Sequence, residues 1–152
     1  MKQRDLVAMS AAEAAALLAG SRKLQLATIN PDGTPHLVTM FYALIDDRIA
    51  FWTYRSSQKA RNLARDPRVS CLVETGEEYF ELRGVQVTGI ARSVTDQAGV
   101  LGIGRRIAAR LPDVPAGALE QYVAQAAPKR SGFIVEPTRV VSWDHRKLRP
   151  TV

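Results

Sequence analysis

Cysteine is almost missing from this chain, and its scarcity excludes two kinds of chemistry at once. A single thiol, Cys71, cannot close an intramolecular disulfide and leaves no cysteine set for a metal. Its setting, VSCLVE, marks it as a small apolar strand residue. Histidine is nearly as scarce, and His36 and His145 stand too far apart to form a zinc motif. No segment approaches the ~20 apolar residues of a membrane-spanning helix. The N-terminus lacks the apolar core of a secretory signal, so the chain is expected in the cytoplasm. Internal repeats, low-complexity linkers and dense basic runs are also lacking. A net charge of +6 therefore favours anionic small molecules over nucleic acid, for which no motif is present. Nothing forms a nucleophilic triad, and no carboxylate pair has a spacing that suggests acid–base hydrolysis.

What is present is an ordinary globular composition, 46% apolar and 24% charged, over 152 residues. That length suits one domain, residues 1–152, with a real core. Residues 10–19, SAAEAAALLA, are rich in helix formers, with Ser10 and Glu13 at capping-box spacing and Gly20 as a stop. A strand from Lys23 to Asn30 meets the turn Asn30-Pro31-Asp32-Gly33 and folds back as a strand over Pro35 to Ile45. The nearly continuous apolar run of that second strand predicts cover on both faces. Asp46-Asp47-Arg48 then turns into a strand at Ile49.

Further strands are expected over Val69–Glu74 and Tyr79–Ser93, with Gly84 and Gly89 marking bends or bulges in the second. Thr95-Asp96 caps a helix reaching about Leu111, and Leu119 to Ala127 forms another. Ser131–Glu136 and Arg139–Trp143 supply the last strands, separated by Pro137. Short connections make the pairing mainly antiparallel. Six or seven such strands favour a barrel, mainly β with flanking helices.

Chemistry concentrates in Phe51 to Pro67, FWTYRSSQKARNLARDP. A strand containing Trp52 and Thr53 runs into a polar corner and then a short helix, with Ser56 or Ser57 as its N-cap. Backbone donors, hydroxyls, Lys59 and Arg61 meet there in one small volume, which suits an anionic phosphate. A solvated amphipathic helix with ordinary surface cations would carry the same residues.

The segments LATINPDGTPHL, KARNLARDPR and VTGIARSV, in this order, resemble the pyridoxamine-phosphate-oxidase-like split-barrel flavoproteins. The closing VVSWDHRKL resembles the branch of that family that uses the deazaflavin coenzyme F-420. The resemblance implies an antiparallel split β-barrel of six or seven strands, a homodimer with its site at the subunit interface, and bound F-420, with FMN as the alternative. Residue by residue it places Ser57, Gln58 and Lys59 at the cofactor phosphate; the longer anionic arm of F-420 would profit from cations beyond that corner, such as Arg55 and Arg61. Trp52 and Thr53 fall at the strand end meeting the cofactor, and Thr39, Met40 and Phe41 along the ring. Tyr79 and Glu81 would approach from the other subunit, and Trp143, His145, Arg146 and Lys147 would close the pocket edge. The implied activity is hydride transfer from reduced F-420 to an unsaturated or quinone-like small-molecule acceptor. An FMN oxidase or reductase, or a non-catalytic flavin- or haem-binding module, is the alternative.

Overall fold

A computed structural model describes residues 1–151. At its centre is one seven-stranded sheet in the order β2-β1-β5-β6-β7-β4-β3, and every pairing in it is antiparallel. The strands are β1 (Lys23–Ile29), β2 (Pro35–Phe41), β3 (Ala43–Ile45), β4 (Arg48–Tyr54), β5 (Arg68–Thr75), β6 (Arg83–Val94) and β7 (Arg130–Asp144). The helices are α1 (Gln3–Val7), α2 (Ala11–Gly20), α3 (Gln58–Arg65), α4 (Gln97–Ala108) and α5 (Ala116–Ala126). The architecture is the expected split barrel. Both halves of the capping box at Ser10 and Glu13 are made, and Asp96 caps α4 through the amide of Gly99.

The strand expected over 35–45 is two strands. The chain turns at Tyr42, leaving β2 at one edge of the sheet and beginning β3 at the other. One residue thus links the two edges and curls the sheet into a barrel with a seam. Tyr42 is fully buried and donates its hydroxyl proton to the carbonyl of Leu18. Pro137 does not divide the last strand, contrary to expectation. The register shifts at Thr88/Gly89, and Gly89 lies opposite Pro137. A bulge at that point lets the strand continue past a residue with no N–H to give. Tyr79 to Glu81 forms a 3-10 turn, and β6 begins only at Arg83.

The barrel interior is filled by Leu24, Leu26, Phe51, Val73, Val85 and Val135, with Phe51 and Phe133 stacked at 5.3 Å. Ala14 and Leu17 of α2 pack into this core, as do Ala60 and Leu63 of α3. A second cluster forms outside the barrel, where Val100, Ile103 and Ile107 of α4 and Val123 of α5 cover Ala50 and Trp52. The strand covered on both faces is therefore β4, buried from Ile49 to Thr53. The expectation of full cover for β2 fails, because it is an edge strand with nothing among the described residues covering its outer face. Leu37 and Phe41 there are 66% and 53% exposed.

Candidate functional site

The corner between β4 and α3 is built by short-range polar contacts. Ser57 is the N-cap, accepting from the amide of Ala60 at 3.2 Å while Thr53 donates to its hydroxyl at 3.2 Å. Asn62, fully buried, donates to Thr28 Oγ1 at 3.1 Å and to Asn30 Oδ1 at 3.0 Å, which pins the helix to the end of β1. Gln58 donates to Asn62 Oδ1 at 2.8 Å and accepts from Arg61 at 3.0 Å. Arg55 donates to the carbonyl of Pro128 at 2.6 Å. These side chains are committed to the protein itself. Lys59, by contrast, makes no hydrogen bond or ion pair among the described residues.

The cation facing Lys59 is Arg130, which the sequence reading did not single out. Arg130 opens β7, directly opposite Tyr54 in the ladder. Its guanidinium lies 4.7 Å from the ring centre of Trp52 and 4.4 Å from that of Tyr54, an arrangement favourable for a cation on aromatic faces. One Nη donates to Tyr122 Oη at 3.3 Å. Its Nε is buried with no partner. Burial, and then the charge of Arg130, hold the Lys59 ammonium below the usual lysine range. Two cations thus converge with no carboxylate paired to either among the described residues. An anion bound between them would satisfy the orphaned donor and relieve the repulsion.

Arg130 lines a cavity of about 320 Å³. Thr39, Met40 and Phe41 of β2 form one wall, with Trp52 behind them and Gly104, Ala108 and Tyr122 opposite. Trp52 is only 6% exposed, so it is at once a core residue and a cavity wall. Gly104 is required by this packing: a Cβ there would stand 2.5 Å from Trp52 Cη2. The result is an apolar slot with an anion-seeking end, and these residues fit a planar cofactor carrying a phosphate.

The remaining expected residues form a separate group. The His145 ring lies 4.7 Å from that of Tyr79, and its Nδ1 is 2.9 Å from the Tyr79 carbonyl oxygen. Glu81 pairs with Arg149 at 3.0 Å, Lys147 with Glu13 at 3.0 Å and Arg146 with Asp144 at 2.7 Å. Trp143 lies across Gly84, leaving no room for a Cβ. This group sits at the Asp144 end of β7 and Arg130 at the other, a contour of about 45 Å at ~3.3 Å per residue. Within one chain, Tyr79, Glu81, Trp143 and His145 do not line the Trp52 cavity.

A sequence profile described as "Pyridoxamine 5'-phosphate oxidase" matches residues 10–144. No curated protein matches the chain. Among solved structures, a hypothetical protein from Mycobacterium tuberculosis is 43% identical, with TM-score 0.90 over 100% of this chain and 96% of that one. A structure described as an F-420 reductase is 27% identical, with TM-score 0.60 over 82% of this chain and 93% of that one. An FAD-binding protein from Mesorhizobium loti shares the fold at 21% identity, with TM-score 0.64 over 88% of this chain and 94% of that one. Haem-binding proteins share the fold as well.

Proposed function

Because this chain belongs to the pyridoxamine 5'-phosphate oxidase family, we propose that it is an oxidoreductase that holds coenzyme F-420 in the Trp52 cavity. The observation that carries this reading is the convergence of Lys59 and Arg130, neither paired to a carboxylate among the described residues, beside an apolar slot. The 27% identical F-420 reductase supports the choice of cofactor. When bound in reduced form, the deazaflavin supplies a hydride, here to an unsaturated or quinone-like small molecule.

The chain's own residues bind, orient and shield. Lys59 and Arg130 hold the anionic end, helped by the hydroxyl of Ser57 at the helix start. Trp52, Met40 and Phe41 fix the plane of the ring, and α4 with α5 keeps water from one side of the slot. In this reading a second copy of the chain covers the exposed Leu37 and Phe41 and brings Tyr79, Glu81, Trp143 and His145 to the open side.

One observation favours FMN as a second reading. Arg55 and Arg61, the cations expected to follow a longer anionic arm, are engaged by Pro128 and Gln58. A single phosphate would then be enough for Lys59 and Arg130. Titration of both cofactors at low and moderate ionic strength separates the two. Tighter F-420 binding, with affinity that falls more steeply with salt, is the expected result. Tighter FMN binding at both salts, with flavin turnover, replaces the first reading by the second.

A further inference from the structure

A second cavity, of about 360 Å³, shares no lining residue with the first. It lies where β5 and β7 end and β6 begins. Its floor is Thr75, Arg83 and Asp144, which are ladder neighbours on one face of the sheet. Met9 and the α2 residues Glu13, Ala16 and Leu17 form its wall.

The charges around this cavity do not balance. Asp144, 2% exposed, is taken by Arg146, which donates from Nε at 2.9 Å and from Nη2 at 2.7 Å. Glu13 is taken by Lys147 at 3.0 Å and by the Ser10 amide at 3.1 Å. The Arg83 side chain is near enough for its charge to act on Asp144, but it makes no hydrogen bond or close ion pair among the described residues, and its Nε is buried without a partner. Three cations therefore face two carboxylates among the described residues, and the one whose donors are left unsatisfied is Arg83. A buried guanidinium donor left unsatisfied is costly, and its planar fork matches a carboxylate.

We propose that this cavity binds a small organic monocarboxylate, its carboxylate on Arg83 and its apolar body against Met9, Ala16 and Leu17. Within one chain the site is separate from the cofactor slot, and it does not depend on which cofactor that slot takes.

Benzoate and its neutral counterpart benzamide are the probes, titrated into the full chain and followed by calorimetry and amide chemical shifts. Benzoate should bind saturably and benzamide at least about 10-fold more weakly, as expected for loss of one charge-assisted contact. Arg83→Gln should weaken benzoate by about 10-fold or more. Ala16→Trp, which fills the cavity from an exposed helix position and leaves every charge in place, should block it. Lys59→Ala should leave benzoate binding unchanged. The proposal is overturned if benzoate shows no saturable binding up to ~20 mM, if it binds no better than benzamide, or if Ala16→Trp binds it normally. It is equally overturned if Lys59→Ala abolishes binding, which would move the carboxylate to the first cavity. Should Arg83→Gln fail to fold, the Ala16→Trp and Lys59→Ala results decide.

Discussion

Replacing Lys59 by methionine separates binding from folding. The substitution keeps the aliphatic stem and deletes the charge. That ammonium is half-buried, has no partner among the described residues and lies in the field of Arg130. Its removal relieves a repulsion, so stability at neutral pH should hold or rise, with a change within about 0.5 kcal/mol. The bound anion, however, loses a charge-assisted hydrogen bond worth roughly 1.5–3 kcal/mol. At ~1.4 kcal/mol per decade this weakens binding about 10- to 100-fold. Arg130→Gln should weaken binding similarly but also lower stability, because the stack on Trp52 and Tyr54 is lost at a cost of about 0.5–2 kcal/mol. Urea denaturation of both variants, together with F-420 and FMN titrations, reads the two effects separately. If Lys59→Met destabilises the fold by more than ~1 kcal/mol and binds both cofactors as well as wild type, the anion site is refuted and Lys59 becomes an ordinary packing residue.

Other expectations follow from the same geometry. The folded protein holds the Lys59 pKa below its ordinary 10.5, so its charged form is disfavoured by folding; as pH rises through that lowered value, anion affinity should fall while the fold loses nothing, which a titration series from pH 7 upward checks. Gly104→Ala should cost about 1–3 kcal/mol by forcing the Trp52 ring aside, whereas Gly102→Ala, with nothing within 4 Å of the new Cβ, should gain up to about 1 kcal/mol of helix propensity. Chemical denaturation of the two glycine variants side by side tests that contrast. Asp144 is held below its ordinary pKa of 3.8, first by the hydrogen bond from Arg146, so its contribution is present above 3.8 and lost as pH falls through the lowered value. Arg146→Ala should therefore move the acid-unfolding midpoint upward, as read by circular dichroism; an unchanged midpoint would mean the pair contributes nothing.

Much of the local structure was legible in the residues. The Ser10–Glu13 box, the Asp96 cap, the turn at Asn30 to Gly33 and the helix after Ser57 all appear where their side chains ask for them. The positive φ angles of Asp46 (50°), Asp47 (63°) and Gly33 (86°) fall at turns the sequence announced. The phosphate corner was legible for the same reason, since its members are contiguous. Not legible was the fate of the apolar run at 35–45. Its composition is that of a doubly covered strand, and only the position of β2 at a sheet edge leaves Leu37 and Phe41 bare.

By itself, then, the sequence determined where helices are capped and where the chain turns, and that one strand-to-helix corner could attract an anion. Caps, turns and amphipathic periods act across three or four residues, so neighbours suffice to specify them. The tertiary structure alone decided that the chain turns at Tyr42 to join the sheet edges, that Arg130 stands over Trp52 beside Lys59, and that Arg83 Nε is left without a partner among the described residues. Each of these depends on pairing between distant strands, Tyr54 with Arg130 and Arg83 with Asp144. Whether a charge is matched or left over is a property of that register, and no window of adjacent residues contains it.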